Sequence, residues 1–189
     1  MKVLGIMGSP RLGGNTDLLL DEALRGAESQ GAQAEKLVVD ELKISPCKEH
    51  YGCLRDGNCV IRDDMEGVYP RLLGADVVIV ASPIFFYSLP GQLKSFIDRC
   101  QVTWVRKYVL KQALGSPGRR GAFIGVGATR GTRLFDGSVL VVKYFFSAIG
   151  VSYSDELLVR GVDQKAEIKG HPTALKDAFE LGKRLVGSS

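Results

Sequence analysis

The feature that most constrains this chain is an alternation between short apolar runs and longer amphipathic segments. Runs rich in Val, Ile, Leu or Phe occupy Val3–Met7, Ala34–Val39, Val77–Ala81 and Gly121–Val126, and a fifth covers about Val151–Val159. The apolar character of the first, third and fourth suits strands covered on both faces. The intervening segments, Asn15–Ser29, Asp64–Leu73, Pro90–Leu114, Phe135–Ile149 and Lys165–Val186, read as helices, and Pro70 makes the second short, kinked or two-part. Five β units separated by helices predict an α/β fold, an open, doubly wound parallel sheet of five strands with helices on both faces. A length of 189 residues, 45% hydrophobic and 24% charged, suits one domain with a sizeable core. Asp40–Asp63 breaks the alternation and reads as an insertion.

Charge and hydropathy remove several classes. A net charge of +4 is too small to imply a nucleic-acid binder. No apolar run approaches the roughly 18 residues of a membrane span. The start, Met1–Gly8, has an apolar run too short for a secretory signal and no small-residue cleavage site, so a cytoplasmic location is expected. Eight basic residues and no acidic one lie between Arg99 and Arg133. They form either a solvated helix face with loops or a surface that attracts a phosphorylated ligand.

In parallel sheets of this kind, ligands sit beyond the carboxyl ends of the strands, where the strand order switches direction. The loop after the first run reads Gly8-Ser9-Pro10-Arg11-Leu12-Gly13-Gly14-Asn15-Thr16. Its small residues let the backbone turn tightly and aim N–H groups inward. Ser9, Asn15 and Thr16 add short polar groups, Arg11 a charged donor, and the following helix its partly positive N-terminus. A P-loop would place Lys and then Ser or Thr after Gly13, where Gly14 and Asn15 stand, and no G-x-G-x-x-G fingerprint is present. A monophosphate therefore fits better than a triphosphate. The competing reading is an ordinary turn capped by Asn15 or Thr16. After the third run comes Pro83-Ile84-Phe85-Phe86-Tyr87, with three consecutive aromatics. Three in a row cannot all face one core, whereas a flat ring ligand gives at least one a partner. A subunit interface is the alternative, compatible with the first. Gly127-Ala128-Thr129-Arg130-Gly131, after the fourth run, is small, polar and at the same edge.

The Gly-Ser-Pro-Arg-x-x-Gly-Asn-Thr loop and the stretch from Ser82 to Arg99 resemble those of the NAD(P)H-dependent FMN reductase and iron–sulfur flavoprotein group of the flavodoxin-like superfamily. The likeness extends over nearly the whole chain. It implies a flavodoxin-like fold holding FMN non-covalently, with Ser9, Arg11, Gly14, Asn15 and Thr16 at the phosphate. Pro83, Ile84, Phe85, Phe86 and Tyr87 would wrap the isoalloxazine, and Gly127, Ala128, Thr129, Arg130 and Gly131 would close over its pyrimidine end. Arg130 could serve there or on a nicotinamide ribose phosphate, or simply face solvent. The implied activity takes reducing equivalents from NAD(P)H to a small acceptor such as free flavin or quinone, with the chemistry carried by the flavin and no catalytic acid–base residue. NADPH would also account for the basic run. A homodimer or homotetramer is implied, and the aromatic loop and the Pro90–Leu114 helix, with Trp104 and Tyr108, suit an interface.

Three of the four cysteines, Cys47, Cys53 and Cys59, crowd together, which in a cytoplasmic chain suggests metal or redox chemistry more than a disulfide framework. Iron–sulfur flavoproteins of the resembled group carry Cys-x2-Cys-x2-Cys-x5-Cys here, followed by a similar Asp-Asp-Met. This chain matches three cysteines, has His50 in the second place and continues with Asp63-Asp64-Met65. Three readings stay open. One is a [4Fe–4S] cluster on Cys47, Cys53 and Cys59 with His50 or an external ligand, against which the histidine weighs. Another is a zinc site from the same four side chains. The third is a loop without metal that serves packing or substrate access. Cys100 is expected in the core, and His171, before Pro172, as a helix cap. Two functional alternatives remain, an iron–sulfur flavoprotein electron carrier and a non-enzymatic flavin- or nucleotide-binding protein.

Overall fold

The computed structural model describes residues 1–187. Five strands form one parallel sheet: β1 (Lys2–Met7), β2 (Gln33–Val38), β3 (Val77–Pro83), β4 (Arg120–Gly127) and β5 (Ser152–Arg160). Their order is β2-β1-β3-β4-β5. This is the flavodoxin-like arrangement expected, with its switch point between β1 and β3. The helices are α1 (Asn15–Glu28), α2 (Cys53–Asp56), α3 (Met65–Gly74), α4 (Gly91–Arg99), α5 (Gln101–Trp104), α6 (Asp136–Ala148) and α7 (Ala174–Gly187). None is long and apolar enough to cross a membrane.

The period-two geometry of strands sends alternate side chains to opposite faces. Val3, Met7, Ile79, Ala81 and Ile124 pack on one face against Leu19, Leu20 and Ala23 of α1 and Ala178 and Leu181 of α7. Leu4, Ile6, Val78, Val80 and Phe123 pack on the other against α3, α4 and α6, where Met65, Leu72, Phe96 and Phe146 are fully buried. Each such side chain contributes about 1.5–3 kcal/mol. The edge strands β2 and β5 alternate buried and exposed residues less completely. Below the sheet, buried Arg119 donates to the carbonyls of Leu72, Ala75 (2.7 Å) and Ile149 (2.5 Å), a cation closing the C-terminal ends of α3 and α6.

The helix containing Pro70 is short, as expected, at ten residues and undivided. Two other helices differ from the sequence pattern. The expected helix Pro90–Leu114 is broken into α4, α5 and a π turn, Val105–Val109. That widened turn carries Arg106 to the Gly57 carbonyl (2.7 Å) and Asn58 (3.0 Å), and Lys107 to the Ser147 carbonyl (2.7 Å). The last helix starts at Ala174 rather than Lys165, because a 3-10 turn, Glu167–Gly170, and Pro172 precede it. His171 caps it, Nδ1 accepting from the amides of Thr173 (3.3 Å) and Ala174 (3.1 Å).

α1 and α7 cross at two glycines. A methyl group on Gly182 would lie 1.8 Å from the Ala23 carbonyl oxygen, and one on Gly26 would lie 2.0 Å from that of Phe179. Gly182→Ala should therefore lower the unfolding free energy by about 3 kcal/mol. Gly67→Ala, where a methyl meets nothing within 4 Å in α3, should raise it by up to about 1 kcal/mol. Urea denaturation of both variants checks this, and equal stability would contradict the crossing.

Candidate functional site

The loop after β1 begins where the Gly8 amide donates to the Ala81 carbonyl (2.8 Å), so it leaves the sheet beside β3. Its shape is fixed from within. The Arg11 amide donates to Ser9 Oγ (3.2 Å), the Gly14 amide to the Arg11 carbonyl (3.1 Å), and the Gly13 amide to Asp17 Oδ2 (2.7 Å). The other Asp17 oxygen meets Lys36 Nζ at 2.9 Å. Despite the cost of burial, Asp21 and Asp17 raise the Lys36 pKa, so the carboxylate nearest this loop is already paired. Gly14 occupies the N-cap of α1 and supplies no side-chain cap. The first N–H groups of α1 are thus left for an outside acceptor. Ser9 and Thr16 stand beside them, each at most 5% exposed.

Ser9, Arg11, Gly14, Asn15 and Thr16 form one wall of a cleft of about 100 Å³, and Pro83, Ile84 and Phe85 face them. Ala128 joins them from the loop after β4. Phe86 and Tyr87 stand outside. Phe85 and Ser88 exchange two backbone hydrogen bonds, each 2.9 Å, around a two-residue turn in which Phe86 and Tyr87 take φ of 50° and 61°. Asn and Gly favour such a turn, and each bulky residue held there costs on the order of 1–3 kcal/mol. Phe86 is fully exposed. Tyr87 reaches the β4 loop, where a methyl on Gly131 would stand 2.7 Å from its hydroxyl, and one on Gly137 the same distance from its carbonyl. Arg130 packs instead against Gly161, its guanidinium 2.8 Å from where a Cβ would stand. Gly127 is buried against Leu134.

Two features of the cleft escape the sequence pattern. Val162, Asp163 and Lys165, from the segment after β5, complete its lining. Lys165 stands at the expected start of the last helix and Val162 and Asp163 just before it, and no local motif marks them. The Asn15 side chain is turned to that same segment, donating to the Gln164 carbonyl (2.8 Å) and accepting from the Ile168 amide (3.0 Å).

Cys47, His50, Cys53 and Cys59 line a separate cavity of about 420 Å³ against the end of α4. All four cysteines of the chain are free thiols, and Cys100 is buried as expected. Burial, with Cys59 and Cys47 nearby, pushes the Cys53 thiol up. Among the described residues no three His, Cys, Asp or Glu side chains converge to hold a metal ion. Cys47, His50, Cys53 and Cys59 thus share one cavity without being drawn together as the ligand set of either a cluster or a zinc ion. What the segment does have is an anchor. Arg99, 1% exposed, pairs through both terminal nitrogens with Asp63 (2.5 and 3.1 Å) and reaches the Ser45 carbonyl (2.8 Å), the Ile61 carbonyl (3.4 Å) and Cys59 Sγ (3.4 Å). Burial opposes ionisation of Asp63, but Arg99 and the amides of Ser45 and Met65 prevail and hold its carboxyl below the usual range.

The basic run from Arg99 to Arg133 does not form one surface. Arg99 and Arg119 are buried, and Arg106, Lys107 and Arg133 are engaged with neighbouring carbonyls, Asn58 or Asp136.

With this geometry in view, residues 1–143 match the family model for NADPH-dependent FMN reductase, and the chain belongs to that family. It is 34% identical over 130 residues to an iron–sulfur flavoprotein of Methanosarcina thermophila, covering 69% of this chain and 65% of that one. The chain therefore spans about two thirds of that relative's length. Among solved structures it superimposes on a flavone reductase with a TM-score of 0.73 at 19% identity, over 100% of this chain and 62% of the other. An NAD(P)H:quinone oxidoreductase from Methanothermobacter marburgensis gives 0.69 at 17% identity, over 97% and 94%. At these identities the structural likeness establishes the fold.

Asp63→Asn leaves Arg99 buried without its counter-charge, and stability near neutral pH should fall by about 3–5 kcal/mol. The folded carboxyl has a depressed pKa. Its contribution is therefore fully present above the unfolded value of about 3.9 and is lost as pH falls through the folded value. Denaturation curves of parent and variant should converge as the solution is acidified, and a constant gap would contradict the pair.

Proposed function

We propose that this chain is an NAD(P)H-dependent FMN oxidoreductase that passes reducing equivalents to a small acceptor such as free flavin or quinone. The observation that carries this reading is one sheet edge where an uncapped helix N-terminus, ringed by Ser9, Arg11 and Thr16, faces the start of a strained aromatic turn. Bound FMN would supply the redox chemistry, accepting hydride from the nicotinamide and passing electrons on. The protein's residues bind and orient. The free amides of α1, the hydroxyls of Ser9 and Thr16 and the Arg11 guanidinium suit a phosphate dianion. Phe85 to Tyr87 offer rings, and Phe86 and Tyr87 backbone amides, to a flat heterocycle, and Gly131 and Gly137 let Tyr87 approach the β4 loop. Family membership supports the reading, as does strain at the turn, since strained backbone gathers at functional sites. The name of the Methanosarcina relative, an iron–sulfur flavoprotein, favours a cluster, but the arrangement of this chain's cysteines does not. Four free thiols support a cytoplasmic setting.

We also infer a homo-oligomer. Trp104, Leu140 and Tyr144 are 40%, 57% and 72% exposed and line one groove between α4–α5 and α6. Apolar area of this kind favours association. Leu140→Asp should shift sedimentation toward monomer while the far-ultraviolet circular dichroism is unchanged. An unaltered assembly would remove this face from the interface.

The purified protein should bind one FMN per chain and oxidise NADPH or NADH in the presence of a quinone. Replacing Phe86-Tyr87 by Asn-Gly should stabilise the fold by about 1–2 kcal/mol and weaken FMN binding. Protein that refuses added FMN would sink the proposal, and FMN binding without nicotinamide oxidation would favour a binding protein.

A further inference from the structure

We propose that Lys165 is the cation that recognises the phosphate of the flavin, held over the phosphate loop by a strap, residues 161–168, that Asn15 fastens. The inference rests on the FMN reading above and adds a residue from outside the stretch that matches the family model, which ends at residue 143.

The geometry is local and specific. Lys165 lines the cleft with Ser9, Arg11 and Thr16. Its Cε lies 3.6 Å, and its Nζ 4.0 Å, from where a Cβ would stand on Gly13, so the ammonium hangs over the turn whose amides and hydroxyls frame the cleft. Lys165 has no carboxylate or carbonyl partner among the described residues. Asp163 lines the same cleft without pairing to Lys165 or Arg11. The ammonium, the guanidinium and the uncapped helix terminus together outweigh the single carboxylate of Asp163, leaving the cleft net positive and suited to a phosphate.

The strap is built to hold that ammonium in place. Asn15 fastens its far part by two hydrogen bonds, to the Gln164 carbonyl (2.8 Å) and from the Ile168 amide (3.0 Å). Glu167 Oε2 accepts from the amides of Asp163 and Gln164, both at 2.8 Å, and closes the turn on either side of Lys165. Its near part is tied to the β4 loop, the Gly161 amide donating to the Thr129 carbonyl and the Val162 amide to that of Gly127, both at 3.3 Å. The strap therefore joins two of the three loops at the sheet edge. Asn15 acts on the ligand through it, as a positioning residue, and Lys165 makes the contact.

The test compares FMN with riboflavin, which lacks the phosphate, by equilibrium dialysis against protein freed of flavin. Lys165→Met should weaken FMN about tenfold or more and leave riboflavin unchanged. Lys165→Arg should keep most of the FMN affinity. Lys169→Met, an exposed lysine on the next turn, should alter neither. Asn15→Ala should also weaken FMN, and adding Lys165→Met to it should cost little more, because a released strap no longer presents the ammonium. Fully additive losses would overturn the strap. Equal effects of Lys165→Met on both flavins, or none on either, would overturn the assignment of Lys165. Parent protein that binds neither flavin would overturn the FMN reading itself.

Discussion

Burial of β1 and β3 on both faces is the constraint from which the rest follows. Every side chain of β1 from Val3 onward and of β3 up to Ser82 is buried, so neither face can be left to solvent. Helices must cover both, and the chain leaves β1 in one direction for β2 and returns to the other side for β3. At the carboxyl ends of these two strands the connections diverge. The Gly8 amide still pairs with Ala81 (2.8 Å), and beyond it no ladder partner remains. Backbone amides freed in this way, backed by the first turn of α1, are the chemical resource of the fold. An anion site there is a consequence of topology, and the side chains around it decide which anion.

The cysteine segment reaches the sheet's core through Val39, Leu42 and Ile44 but depends for its shape on a different interaction. Residues 39–64 contain a single four-residue helix and a 3-10 turn, too little to bury a core of their own. A single buried guanidinium supplies what is missing. Arg99 binds the segment at Ser45, Cys59, Ile61 and Asp63 at once, and its charge is acceptable inside only because Asp63 is ionised. Asp63 and Arg99 are two halves of one contact. Asp64 has a related task, its carboxylate accepting from the Lys43 amide at 2.7 Å.

Short continuous apolar runs made the central strands legible, because burial on both faces leaves no polar position, and period-3.6 patterns did the same for most helices. Val77–Ala81 and Gly121–Val126 lie wholly inside β3 and β4 for that reason. The helix expected over Pro90–Leu114 failed because its break is enforced from outside, by Arg106 and Lys107 reaching carbonyls on the cysteine segment and α6. Tertiary contacts of this kind leave no periodic trace. The same holds at the cleft. Ser9, Arg11 and Thr16 announce themselves by clustering in one loop, whereas Lys165 comes to them from a segment some 150 positions away. The two hydrogen bonds from Asn15 that bring it there could not be read from a loop that already explained Asn15 as a phosphate ligand.

That reassignment changes how the cleft's electrostatics should be understood. A site built from helix amides and hydroxyls alone would attract any small acceptor, because its donors are neutral and its partial charge fades within one helical turn. Two full charges on independent segments, Arg11 from the first loop and Lys165 from the strap, concentrate the field where both can reach. Asp17 does not cancel it, because Lys36 already pairs with that carboxylate at 2.9 Å, and exposed Asp163 in the same lining offsets one of the two charges but not both. The strap also places buried Val162 in the lining, while Lys165 itself stays exposed at the rim of the cleft, where an incoming phosphate can reach it. The aromatic turn is closed only by its own Phe85–Ser88 hydrogen bonds and leaves Phe86 wholly exposed. The site thus has a fixed end for charge and an open end for a ring, an arrangement suited to a ligand anchored by its phosphate.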